Sequence, residues 1–181
     1  MNWAVAKIWA ADLSLVDAVN NITYDNWRLP TVIDTGTPGC NFANTGTDCG
    51  SNVDTATGEM AHLFYDELGN KAYYGTSGNP QSGFGLTNTG PFTHLQAGNY
   101  WSGSEAASEA GPYSGSAWLF DFGFGHQGTE FTQSAFYYSH LYDYYALAVS
   151  PGDVGAVPEA QTYALMLAGL GLIGWRARRR G

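Results

Sequence analysis

The chain has 181 residues, of which 13% are charged, 15% are aromatic and 24 are Gly, and its formal net charge is −9 at pH 7. Such a length suffices for one domain of roughly 150 residues with a real core and a short appendage, and leaves no room for a second domain. Before Pro158 three basic residues, Lys7, Arg28 and Lys71, stand against fifteen acidic ones, a formal charge of −12 (3 − 15) that excludes nucleic acid and argues against strongly sulfated polysaccharides as partners of that portion.

Few charges amid abundant Gly, Ser, Thr, Asn and aromatic residues are unlike a Lys/Glu-rich cytosolic protein and fit an exported one. Trp3, Ala6, Ala10 and Leu13 recur at helical spacing and predict the first helix of the domain. No basic and then apolar leader precedes them, so export by the general secretory route implies a start further upstream, or a fragment. The Gly- and Thr-rich stretch 35–50 predicts a loop, with Cys40 and Cys49 separated by eight residues. In an oxidising compartment they are expected to close a local disulfide, which the chain-entropy account values at no more than about 2–3 kcal/mol. A reactive thiol pair is the alternative, but neither a C-x-x-C spacing nor a basic neighbour is present. Zinc would find only half its ligands here.

Asn52 to Glu59 places oxygen ligands at alternating positions, yet Ala56 stands where a third EF-hand ligand belongs, and no Glu follows at the twelfth position. No resident cofactor or metal is expected, and calcium is the one ion left to weigh. Thr57 to Leu68 predicts a second helix with Met60, Leu63, Phe64 and Leu68 on one face, stopped by Gly69. Gly75 to Gly98 is rich in Gly, Asn, Ser, Thr and Pro and predicts loop. Strand candidates are Tyr100-Trp101-Ser102, Ala117 to Phe124 and Tyr144 to Val149. In the second of these, alternation sets Trp118, Phe120, Phe122 and Phe124 on one side. Two helices, short antiparallel strands and long loops predict an α+β domain.

Three strings, Asn26-Trp27-Arg28-Leu29-Pro30-Thr31, Tyr100-Trp101-Ser102-Gly103-Ser104-Glu105 and Ala117-Trp118-Leu119-Phe120-Asp121-Phe122, occur in that order. With the opening helix they make residues 2–150 resemble the Lcl C-terminal domain family, bacterial surface domains of undefined function. That family is similar in fold to C-type lectins and formylglycine-generating enzymes, which implies a single lectin-like domain with first and last strands together and long loops on one face. Where the family carries an Arg-Cys-Val-Arg-like final strand, this chain has Tyr144-Tyr145-Ala146-Leu147-Ala148-Val149.

Candidate binding residues are Arg28, Trp101 and Glu105 within these strings, and Tyr144 among the tyrosines near the end of the domain. Trp27, Trp101 and Trp118 also read as core aromatics. Arg28 also reads as one half of an ion pair with a motif carboxylate such as Glu105. Tyrosines between Tyr137 and Tyr145 either stack on sugar rings or line the last strands. No enzyme is expected. The four histidines are scattered, Glu59-x-x-His62 occurs once where a di-iron bundle needs it twice, and both cysteines lie early. The lectin sugar motif Glu-Pro-Asn is absent.

The chain closes on a Val157-Pro158-Glu159 turn, an apolar run from Tyr163 to Trp175 and the cluster Arg176, Arg178, Arg179 and Arg180. Arginines behind an apolar run resist translocation and keep their side cytoplasmic. Thirteen residues at about 1.5 Å each fall short of a bilayer core of roughly 30 Å, which suits a transient anchor. An amphipathic helix packed on the domain is the alternative, although no polar face separates the apolar positions. Gly169 to Gly174 matches G-x-G-x-x-G, but no strand precedes it and no room remains for a ribose-binding acid.

Read together, 157–181 resembles the PEP-CTERM sorting signal, with 151–156 as linker and Ala160 departing from its third position. The resemblance implies an exosortase as partner, contact with the inner membrane through a C-terminal hydrophobic sorting helix, and delivery to the surface or matrix of a Gram-negative bacterium. Both resemblances imply an exported envelope or matrix protein with a non-catalytic domain that recognises surface polysaccharide, such as exopolysaccharide, or protein. A purely structural matrix or biofilm component is the alternative, and an enzyme of the formylglycine-generating-like fold a third.

Overall fold

Asn2 opens the first helix by accepting a hydrogen bond from the Val5 amide at 2.9 Å, which satisfies one of the orphan donors of the first turn. The structure, a computed structural model, describes residues 1–35, 44–106, 115–132 and 144–150. Helix α1 (Trp3–Ala11) buries Trp3, Ala6 and Ala10 on one face and stops two residues short of the predicted Leu13. A hairpin of β1 (Leu15–Asp17) and β2 (Ile22–Tyr24) follows, forming a two-stranded sheet of its own. Its turn is shaped by the Asp17 carboxylate, which accepts from the Val19 and Asn20 amides, with Asn21 in the left-handed region.

After β3 (Gly50–Ser51), α2 (Glu59–His62) continues into a wider π-type turn, Leu63–Glu67, and the chain leaves it through Gly69 at φ +64°. The remaining strands are β4 (Asn99–Glu105), β5 (Ser116–Asp121), β6 (His126–Phe131) and β7 (Tyr145–Ala146). They assemble with β3 into one sheet in the order β3-β6-β5-β4-β7. All pairings are antiparallel except β7 on β4, which runs parallel and so departs from the expected antiparallel set. The α+β class is as the sequence predicts. Residues Met1–Ser150 make one compact unit.

Both faces of the central strands are covered. Trp101 pairs with Leu119, and this face packs on α1 through Trp3, Ala6 and Ala10. Tyr100 pairs with Phe120, and that opposite face packs on Met60, Ala61 and Phe64 of the second helical segment. Phe64, Phe120 and Phe122 lie 5.1–5.7 Å apart in tilted and edge-to-face contacts. Burial on both faces explains why β5 reads as an unbroken apolar run, Ala117-Trp118-Leu119-Phe120.

The predicted alternation fails at its end. Phe124 does not continue the Trp118, Phe120, Phe122 side but is 51% exposed, because β5 ends at Asp121. There the Asp121 carboxylate accepts from Gly123 N at 2.7 Å and its carbonyl accepts from Gly125 N at 2.8 Å, reversing the chain into β6. Among the described residues no helix is long and apolar enough to cross a membrane, and the predicted sorting helix within 157–181 lies outside them.

Candidate functional site

The string around Trp27 and Arg28 is a staple between three segments. Arg28 exchanges backbone hydrogen bonds with Val149 at 2.9 and 2.8 Å, holding the end of the domain, while Val32 bridges Gly58 just before α2. Its guanidinium does not reach Glu105, the partner suggested by sequence; it grips Glu59, Nη1 to Oε2 at 2.6 Å and Nη2 to Oε1 at 2.9 Å. Glu59 opens α2 on the neighbouring segment, whereas Glu105 ends β4 as an exposed residue. Glu59 also accepts from the amide and hydroxyl of Thr31 at 2.6 and 3.0 Å.

The Arg28 guanidinium first, and then the two Thr31 donors, bring the Glu59 carboxyl down to about 2 against an opposing effect of burial. A depressed carboxyl stabilises the fold above its ordinary value of 4.5 and loses that contribution as pH falls toward 2. Both side chains are about two-fifths exposed (42% and 41%), so solvent screening cuts the contribution to about 1 kcal/mol. Glu59→Gln is therefore expected to lower stability by about 1 kcal/mol at pH 7 and to flatten the acid loss between pH 4.5 and 2, read by urea titration across that range.

The other sequence candidates fall mostly in the core. Trp101 is 1% exposed, donates from Nε1 to the Met1 carbonyl at 3.0 Å and meets Tyr144 edge-on at 4.8 Å. Tyr144 is buried beside it, and Trp118 is buried with Val32 and Cys49. Tyr145 lies half-exposed and stacked on Tyr100 at 5.1 Å, while Tyr137, Tyr138 and Tyr142 lie outside the described residues. Cys49 is buried and disulfide-bonded; Cys40, its expected partner, lies outside the described residues.

In the segment weighed for calcium, Asp54 accepts from the Ala56 amide at 3.0 Å and Glu59 is bound to Arg28. Among the described residues no three His, Cys, Asp or Glu side chains are grouped to hold a metal. His62 sits exposed between Asp66 at 2.8 Å and Glu67 at 3.2 Å.

A feature that periodicity does not announce is a cluster of exposed rings. Tyr73 lies 4.7 Å from both Tyr74 and Phe84 and 5.7 Å from Phe124, and Phe84 and Phe124 stack at 5.9 Å with planes 24° apart. Tyr74 is 42% exposed, Phe84 37% and Phe124 51%. The loops bearing them are pinned to one another. Tyr73 N donates to the Phe124 carbonyl at 2.8 Å, Gln81 N to the Tyr73 carbonyl at 2.9 Å and Gly85 N to the Lys71 carbonyl at 2.8 Å.

Side chains brace the same frame from beneath. Tyr65 donates to the Gly125 carbonyl at 2.6 Å and accepts from Asn52 N at 2.9 Å, and burial pushes its hydroxyl up to about 12. Asn52, at φ 52°, reaches the Tyr74 carbonyl at 2.8 Å. Gly85, at φ +83°, passes so close to the Gly123 carbonyl that a Cβ would stand 2.5 Å from its oxygen. One sequence signal points here: from Ala72 to Ser104 the chain runs 33 residues without an Asp, Glu, Lys or Arg.

A separate cleft of about 400 Å³ opens between Pro91 to Leu95 and the residues Tyr100, Ala146 and Leu147. Tyr100 accepts from Gln96 N there at 2.9 Å.

A family profile described as the PEP-CTERM protein-sorting motif matches residues 156–180. No curated protein matches the chain, and no solved structure does. The motif covers Val157, Pro158 and Glu159 together with Arg176, Arg178, Arg179 and Arg180, all of which lie outside the described residues. It supports an exported protein that associates with a membrane through its tail and is processed by an exosortase on the way to the cell surface.

Proposed function

We propose that the chain is an envelope or extracellular-matrix protein whose folded portion is a non-catalytic recognition module for surface polysaccharide or protein. The tail acts as a transient inner-membrane anchor that an exosortase releases, and the Cys40–Cys49 disulfide closes the loop 35–50 after export. The resemblance of 2–150 to the Lcl C-terminal domain, with its lectin-like architecture, belongs to the same reading.

The observation that carries it is the exposed ring cluster on loops fixed by backbone hydrogen bonds, within a chain bearing a sorting motif. Exposed aromatic rings on rigid supports lose little freedom on binding. Glu59, the carboxylate of the Glu59-x-x-His62 pair, is engaged by four hydrogen bonds and acts in this reading as a structural anchor. In fractionated native cells the protein is expected in the outer fraction, sedimenting with the producer's own exopolysaccharide. Recovery in that fraction with no association to polysaccharide or to another surface protein would favour the purely structural alternative.

A further inference from the structure

We infer that the rings of Tyr74, Phe84 and Phe124 form a binding platform for an uncharged polysaccharide, taking the apolar faces of neutral pyranose rings. This rests on the recognition reading above and names its site and ligand class.

The chemistry of the face selects the ligand. A pyranose has one or two faces of C–H groups and a rim of hydroxyls, so it needs flat apolar surface beside hydrogen-bonding groups. Phe84 and Phe124 stack on each other with planes 24° apart while keeping 37% and 51% of their surface exposed, and Tyr73 meets both edge-on. The loop between Tyr74 and Phe84 adds exposed Thr76, Ser77, Asn79 and Ser82, which carry hydroxyl and amide groups and no charge. The 33 residues from Ala72 to Ser104 carry no formal charge, and the charged residues bonded beside the rings are one of each sign, Lys71, whose carbonyl accepts from Gly85 N, and Asp121, whose carboxylate accepts from the Phe124 amide, so no net charge there favours a charged ligand. The net charge of −9 additionally repels uronate or sulfate chains.

The platform is also prebuilt. Exposed phenylalanines gain nothing from water, yet these are not on a loose tip. Gly85 and Gly125 let the two loops approach within the space a single Cβ would fill, and the Tyr65 hydroxyl and Asn52 amide fasten the Gly125 and Tyr74 carbonyls. A site organised before its ligand arrives loses less on binding, and stacking on it depends little on salt.

Affinity electrophoresis of the full chain in gels containing neutral xylan, β-glucan, mannan or galactan, beside alginate and dextran sulfate, tests the assignment. The wild type is expected to be retarded by a neutral polysaccharide, equally at low and high salt. Phe84→Ala combined with Phe124→Ala should weaken that affinity at least about tenfold. Tyr74→Ala should weaken it less. Ile33→Ala, at an exposed residue of another segment, should leave it unchanged. Tyr74→Ala and Ile33→Ala should melt like the wild type, whereas the double variant also loses the ring contacts to Tyr73 and should melt somewhat lower, so its affinity is compared at a temperature below both unfolding midpoints.

Undiminished retardation of the double variant would overturn the platform while leaving polysaccharide recognition standing. Retardation by alginate or dextran sulfate alone would overturn the neutral ligand class. Absence of retardation by every polysaccharide would overturn the platform and polysaccharide recognition together.

Discussion

Trp101→Ala is expected to destabilise the folded portion by about 3–5 kcal/mol, enough to leave little native protein at room temperature. The indole lies within β4, 1% exposed, between α1 and Tyr144, the residue that leads into β7. Its removal empties the space between Trp3, Leu119 and Tyr144, deletes the edge-to-face contact at 4.8 Å and leaves the Met1 carbonyl without its indole donor. Urea titration of purified protein, or loss of soluble yield, reports the outcome. A Trp101 that served as a ligand platform would behave differently, leaving the unfolding midpoint in place and changing only binding.

Gly125→Ala should have the second largest effect, about 2–4 kcal/mol, through two separate penalties. The residue sits at φ +61°, where a side chain is strained, and its added Cβ would stand 2.7 Å from Cε1 of Phe64 and 2.8 Å from the Ala72 Cα. Phe64 is fully buried among Phe120 and Phe122, and Ala72 offers backbone, so neither can retreat cheaply. The midpoint of thermal unfolding should fall by about 10 °C. Because Gly125 also carries the carbonyl that anchors Tyr65 and adjoins Phe124, polysaccharide affinity should fall with stability in this variant. In Phe84→Ala with Phe124→Ala, which removes half-exposed rings and no backbone anchor, affinity should fall far more than stability.

The parts of the fold legible in the sequence are those where one side of an element is buried at a regular period. Trp3, Ala6 and Ala10 mark α1, Met60 and Phe64 mark the second helical segment, and Ala117 to Phe120 mark the doubly covered β5. Strand β6 is polar, with Gln127 and Gly128 as its buried positions, so it offers no apolar alternation and passes unseen. The β1–β2 hairpin is three residues a side and exposed, which leaves no period to read, although Asn20-Asn21 is a turn signal.

Arg28 is recognisable as a residue seeking a carboxylate, but two candidates, Glu59 and Glu105, differ only in where the chain places them. The ring cluster joins Tyr73 and Tyr74 to Phe84 and to Phe124, separated by some 40 residues and a strand pair; the absence of charge between Ala72 and Ser104 is its one linear trace. The tail is the opposite case. A turn, an apolar run and an arginine cluster in fixed order need no tertiary context, and the sorting motif matches 156–180, within one residue of the segment read from those features.

A chain exported and sorted through its tail should lose that tail on the way out, and the intact mass of the protein recovered from the outer fraction of its native producer reads this out. A mature species lacking the segment that begins near Pro158 is expected, with the remaining portion 2 Da lighter than its reduced form. An uncut, fully reduced chain recovered from the cytoplasm would contradict that expectation.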